Sequence, residues 1–261
     1  MDKLYVIKIG GNIVDNEEKL HSFLKAFASL EEEKILVHGG GKLATKLAKQ
    51  LGIEQTMIEG RRVTDAETLK IVTMVYAGLV NKGIVAQLQA FNCNAIGLCG
   101  ADGDVIRAHK RITQTVDYGF AGDVDAVNHD FLTTLLQQNM VPVLAPVTHD
   151  GTGQLLNTNA DTIAQETAKA MSSLFDVVLV YSFEKAGVLM DVADDGSVIP
   201  KIDRLAFHNM KENKLVFEGM IPKLENAFAA LNNGVKKVII GQAENLDELV
   251  QGKAGTAIVN E

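Results

Sequence analysis

The sequence predicts an α/β protein: a three-layer αβα sandwich around a mostly parallel central sheet, organised as two lobes about a cleft. Short β-branched runs recur along the chain with few polar interruptions, as in strands buried on both faces. Helical patterns lie between several of them, as crossovers between parallel strands require. Two glycine turns follow two of the strands, at the carboxyl ends where open α/β sheets bind ligands.

Taken in order, Tyr5-Val6-Ile7-Lys8-Ile9 predicts a first strand over residues 4–9, ended by Gly10-Gly11-Asn12. A helical pattern covers residues 17–30. Ile35-Leu36-Val37 centres a second strand over 34–38, and Gly39-Gly40-Gly41 passes the chain to a helix over 43–51. Thr64 or Asp65 can cap a long helix over 66–91. A strand is expected over 95–99. Residues 113–127 alternate and carry Gly119 and Gly122, which predicts antiparallel hairpin strands. A helix over 129–139, a strand over 141–147, a helix over 161–173 and a strand over 177–181 come next. Asp195-Gly196 marks a second hairpin within 190–199. Pro222 opens a helix over 222–232 at its N1 position. A strand over 237–240, a helix over 246–250 and a strand over 256–259 complete the series.

A chain of 261 residues that is 47% hydrophobic can bury a large core as one domain or two modest lobes. Its net charge of -8 argues against general nucleic-acid binding, which needs a basic surface. Two cysteines, Cys93 and Cys99, fit no common zinc or redox spacing and read as reduced packing residues of a cytoplasmic protein. No histidine pair has metal-ligand spacing, so no protein-held metal is expected. No apolar run approaches the ~20 residues of a membrane span. The first strand begins too close to Met1 to leave room for a signal peptide.

The chemistry starts with the glycine turns. Backbone N–H groups uncovered by side chains, at the N-terminus of a following helix, make an anion site suited to phosphate. Lys8 sits in a buried strand, a costly place unless its charge is paired or reaches a cleft. Lys223 falls in the first turn of a helix, where a cation opposes the dipole unless an anion lies nearby. Arg61 and Arg62 precede the long helix, and an arginine there can grip a carboxylate with two hydrogen bonds. Asn157-Thr158-Asn159-Ala160-Asp161 gathers two amides and a carboxylate in five residues. Asn159 is accounted for as an N-cap; Asn157 is not. His38 reads as a packing residue beside the glycines. A competing reading takes Gly39-x-Gly41-x-x-Ala44 as a dinucleotide fingerprint, which requires an acidic residue near 54–59 at the end of another strand.

Five segments then occur in order: Lys8-Ile9-Gly10-Gly11-Asn12, His38-Gly39-Gly40-Gly41, Gly60-Arg61-Arg62-Val63-Thr64, Asn157-Thr158-Asn159-Ala160-Asp161 and Gly219-Met220-Ile221-Pro222-Lys223. Together they resemble the amino-acid kinase family, in its acylglutamate branch, across nearly the whole chain. The resemblance implies a kinase of arginine biosynthesis. It would transfer phosphate from ATP, with Mg²⁺, to the side-chain carboxylate of an N-acylglutamate: N-acetylglutamate, with N-succinylglutamate as the alternative. Carbamate, UMP or glutamate kinases of the same family are rival readings.

The roles implied are specific. Lys8 and Lys223 would stabilise the transferring phosphoryl group, and Asp161 would hold both lysines. Gly10 and Gly11 would bind ATP. Gly11, Gly40 and Gly41 would donate backbone N–H bonds, Arg62 would clamp the α-carboxylate, and Asn157 would bind the acylamino side. Residues 1–174 would form the acylglutamate-binding and dimerising lobe, with the 66–91 helix at a homodimer interface. Residues 175–261 would hold the nucleotide, with adenine near Gly187. The chain departs from the family at Phe183-Glu184-Lys185-Ala186, where members often carry an Asp-Val pair, and at Glu218. A larger, anionic acyl group would call for an extra cation, Arg61 or Lys70.

Overall fold

The chain opens with β1 (Lys3–Ile9), the short helix α1 (Gly11–Val14), α2 (Glu17–Ser29), β2 (Glu33–His38) and α3 (Gly41–Gln50). The small pair β3 (Met57–Ile58) and β4 (Arg61–Arg62) leads into a long helix: α4 (Ala66–Val72), a π-helical stretch (Thr73–Val80) and α5 (Asn81–Ala90). Then come β5 (Ala95–Leu98), β6 (Ile106–Lys110), β7 (Gly122–Val127), α6 (His129–Gln137), β8 (Val141–Leu144), β9 (Val147–His149), β10 (Leu155–Asn157) and α7 (Ala160–Met171). The C-terminal part holds β11 (Asp176–Phe183), β12 (Lys201–Ile202), α8 (Arg204–Glu212), α9 (Ile221–Asn232), β13 (Lys237–Gln242), α10 (Leu246–Val250) and β14 (Thr256–Ile258). This computed structural model describes residues 1–58, 61–191, 193–213 and 220–260. Glu59, Gly60, Val192, Glu218 and Gly219, which fall in the segments read above, lie outside the described residues.

Eight strands form the central sheet in the order β12-β14-β13-β11-β1-β2-β8-β5. The six from β13 to β5 are parallel, and β14 runs antiparallel to β13. Side chains alternate across β1. Tyr5, Ile7 and Ile9 pack with Phe23, Leu24 and Phe27 of α2. Leu4 and Val6 pack on the other face with Ile163 of α7 and Leu224 and Phe228 of α9. Each such buried side chain contributes roughly 1.5–3 kcal/mol. Period two puts Lys8 on the α7 face, at the end of the strand. Because β1 lies between β2 and β11, its glycine turn emerges where the connections diverge to the two sides of the sheet.

Several expectations need correction. The 141–147 strand breaks at Ala145-Pro146 into β8 and β9, which belong to different sheets. The hairpin expected within 113–127 is instead β7 paired antiparallel with β6, a strand the sequence reading missed. These join β9 and β10 in a second sheet of four strands, β10-β9-β6-β7. The hairpin at 190–199 does form, as an antiparallel bridge between Leu189 and Val198 flanked by Met190 N donating to Ser197 O and Ile199 N to Val188 O, each at 2.9 Å. Helix α9 begins at Ile221, so Pro222 is second rather than first. Residues 66–90 also form a helix long and apolar enough to cross a membrane, contrary to the sequence reading. It packs instead on the sheet: Asn81 is fully buried and donates to the Val143 carbonyl at 2.9 Å.

His38 fulfils the packing role. It is fully buried, with Nδ1 2.7 Å from the Gly39 oxygen and Nε2 3.1 Å from Asn81 Nδ2. Burial holds its pKa down at about 4. The unfolded chain therefore takes up this proton near pH 6.5 and the folded chain only near 4. The stabilisation is present above pH 6.5 and is lost as pH falls from there towards 4, by on the order of 3 kcal/mol. In thermal melts over that window, His38→Asn should show a smaller drop in Tm than the parent. Parallel curves would disprove the assignment.

Candidate active site

Two cavities meet at the carboxyl end of β1, and both are lined by Lys8 and Gly11. The first, of about 250 Å³, adds Asn12, Asp161, Phe183, Glu184 and Lys223. The second, of about 260 Å³, adds Gly40, Gly41, Arg61, Arg62, Arg111 and Asn157. The sheet explains the shared wall, since the turns after neighbouring parallel strands β1 and β2 open at the same level.

Lys8 Nζ lies 2.8 Å from Asp161 Oδ1, with the side chains 17% and 44% exposed. The contact is an ion pair rather than an aligned hydrogen bond, because that buried oxygen has no hydrogen-bond partner. Asp161 is placed by its helix: Asn159 caps α7, its Oδ1 accepting from Asp161 N at 2.8 Å and Thr162 N at 3.2 Å. Lys223, in the first turn of α9, rests over the Phe183 ring at 4.5 Å. Among the described residues Asp161 pairs with Lys8 alone, so the expected bridge to both lysines is half formed. Below them, burial first and then the Asp161 and Glu166 carboxylates push the Tyr181 phenol far up, keeping it neutral.

The glycines have separate structural roles. Gly10 lines the first cavity, but its N–H donates to the Ser182 carbonyl at 2.7 Å. Gly11 faces open space in both cavities: a Cβ built on it meets nothing within 4 Å. Gly40 is needed for close approach, because a Cβ there would lie 2.8 Å from the Tyr76 ring. Gly187 lines neither cavity. A Cβ on it would meet Thr256 Oγ1 at 2.7 Å, so packing accounts for that glycine.

Arg62 is 9% exposed and held by three acceptors: the Gly41 oxygen at 2.9 Å, Thr45 Oγ1 at 3.0 Å, and Gln55 Oε1. Asp65, not Thr64, caps α4, accepting from Thr68 N at 2.7 Å. Thr64 Oγ1 instead accepts from Asn157 Nδ2 at 2.9 Å and so orients that amide in the second cavity. Arg61 lines the same cavity, whereas Lys70 pairs with Glu67 in solvent. Arg111 lines it as well, its fork engaged by Asp123, whose hydrogen bond leads the effects that raise the arginine's pKa. Nothing near Arg111 in the sequence signals its partner twelve residues on. Tyr76 was likewise invisible as a site residue, sitting among the apolar residues of the long helix. The described residues of the second cavity include four cations and no carboxylate.

Helices α3, α7 and α9 all present their N-termini to this double cavity. Their dipoles add to Lys223, Arg61 and Arg62 and to the paired Lys8 and Arg111, so the centre is suited to anions.

The sequence matches the profile of the Amino acid kinase family over residues 3–242. It is 59% identical over 258 residues to the acetylglutamate kinase of Parabacteroides distasonis, covering 99% of this chain and 100% of that protein. It is 57% identical to the acetylglutamate kinase of Cytophaga hutchinsonii, covering 99% of both. The fold is similar to the crystal structure of smu.665 from Streptococcus mutans, with a TM-score of 0.79, 28% identity and 99% of each chain covered.

Proposed function

The chain belongs to the amino acid kinase family, and we propose that it transfers the γ-phosphoryl group of ATP to the side-chain carboxylate of N-acetylglutamate, an acyl-phosphate-forming step of arginine biosynthesis. The observation that carries this reading is the pair of cavities sharing Lys8 and Gly11. Two anionic reactants can each fill one cavity and meet at the common wall. The dinucleotide reading would leave Lys8, Lys223 and Arg62 without a task.

A carboxylate is ionised at neutral pH (ordinary pKa roughly 4.3), so the attack needs no general base. The barrier is the approach of an anion to a polyanion. Catalysis is therefore positioning plus electrostatic stabilisation. ATP occupies the cavity with Lys223 and Phe183. Its γ-phosphate reaches Lys8 and the Gly11 N–H. The acylglutamate occupies the other cavity, its α-carboxylate on Arg62 and its acylamino group on Asn157. The reacting carboxylate lies by the Gly40-Gly41 turn. Asp161 keeps Lys8 in place. Mg²⁺ would come with the nucleotide, held mainly by its phosphates and by water. Residues 1–174 serve the acylglutamate and residues 175–261 the nucleotide. The enzyme works in the cytoplasm as a homodimer, joined through the long helix, whose Met74 and Leu79 are 53% and 66% exposed.

Arg61, which has no described carboxylate beside it in the cavity lining, favours a second reading of the acyl group, a dicarboxylic one such as succinyl. One assay separates the readings. ADP release from MgATP is followed with N-acetylglutamate, N-succinylglutamate, free glutamate and aspartate, with hydroxylamine trapping the acyl phosphate. Turnover is expected with an acylated glutamate alone. No trapped product with either acylglutamate, from folded protein that binds ATP, would overturn the proposal.

A further inference from the structure

Asp15 follows α1 directly, and both of its carboxylate oxygens are buried without a hydrogen-bond partner among the described residues. An unsatisfied buried carboxylate calls for an explanation. Burial raises its pKa, and the one opposing influence is the charge of Lys42. Lys42 lies in the first turn of α3, just past the second glycine turn, where a cation works against the helix dipole. Its ammonium crosses to the first turn and donates to Asn12 Oδ1. Asn12 in turn lines the cavity assigned to the nucleotide. Lys42 and Asn12 thus link the two glycine turns, with Asp15 close enough to feel the lysine's charge.

That join has a mechanical consequence. The first turn supplies the donor for the phosphate and the second the donors for the attacking carboxylate. The spacing between the turns then sets the distance between the reacting atoms. A misplacement of about 1 Å can cost roughly 10²-fold in rate. We infer that Lys42, bonded to Asn12, is a positioning residue that fixes the gap across which the phosphoryl group moves. The inference rests on the kinase reading given above.

The test is a double-mutant cycle of Lys42→Met and Asn12→Ala, with Lys42→Arg and the parent enzyme alongside, and with folding checked by circular dichroism and Tm. Each single variant is expected to lower kcat roughly tenfold or more, with KM for MgATP and for the acylglutamate within about twofold. The double variant should be no slower than the slower single one, because both remove the same link. Lys42→Arg should recover most of kcat. Three results would overturn the inference: kcat unchanged in folded Lys42→Met, single losses that multiply in the double variant, or a loss confined to KM for MgATP, which would make Lys42 a phosphate ligand. If the parent turns over and Lys42→Met is indifferent, this inference alone fails. If the parent does not turn over, the kinase reading fails and takes this one with it.

Discussion

Lys8→Ala and Lys223→Ala should each lower kcat by about 10²–10³-fold, with much smaller changes in KM for either substrate. That magnitude is typical of losing one preorganised group aimed at charge that develops in the transition state. Uniform binding would appear in KM instead. The two lysines should still differ in one respect. Removing Lys8 strands the Asp161 carboxylate, now 2.8 Å from its ammonium, in the cavity that would take the phosphates. Lys8→Ala should therefore also weaken ATP binding somewhat, and adding Asp161→Asn should reverse that part without restoring kcat. Lys223, resting on the Phe183 ring, strands no described carboxylate when removed. Single-turnover rates with saturating acylglutamate, followed as MgATP is varied, measure both effects: the plateau gives the chemical step and the half-saturating concentration gives ATP binding. Mild, equal losses from the two variants would refute the assignment.

Arg62→Ala should act on the other reactant, raising KM for the acylglutamate by about 10–10²-fold with a smaller change in kcat. The magnitude follows from losing charge-assisted hydrogen bonds to a carboxylate, roughly 1.5–3 kcal/mol. Arg62→Lys should not rescue it, since one ammonium cannot hold Gly41, Thr45 and Gln55 and still present a fork to substrate. The same substitution should lower Tm, because those acceptors lose a nearly buried donor. Substrate titrations at fixed MgATP test the first effect, and thermal melts without substrate test the second. A KM rise for MgATP alone would place Arg62 in the wrong cavity.

The parts of the site legible in the sequence were those whose oddity is local. Lys8 in an apolar strand, Lys223 in a first turn, and Asn157 left over beside a good N-cap each violate a short-range rule, and each lines the double cavity. Arg62 could be named, but its three holders could not, since Thr45 and Gln55 carry no signal of meeting it. The central strands β1, β2 and β11 were readable because burial on both faces leaves long apolar runs. The small sheet was not. Ile106–Lys110 is mostly polar and half exposed, which resembles a loop, and Leu155–Asn157 has only three residues. Pro146 was the available sign that the 141–147 run breaks. Helix α8 escaped because Met210 is its one buried residue, although Asp203 does cap it, accepting from Ala206 N at 2.8 Å.

The position of β1 also shapes how this protein is made. Its first nine residues form the middle of the sheet, yet one whole side of that strand pairs with residues 176–182. At about 5–20 residues per second, a ribosome takes roughly 10–35 s to go from one to the other. During that interval a strand of buried apolar residues presents an unpaired edge, the feature that invites aggregation. Chains ending before β11 should accumulate as insoluble fragments or chaperone clients rather than as a half-enzyme. The catalytic wall is thus among the earliest segments to leave the ribosome and among the last to be completed.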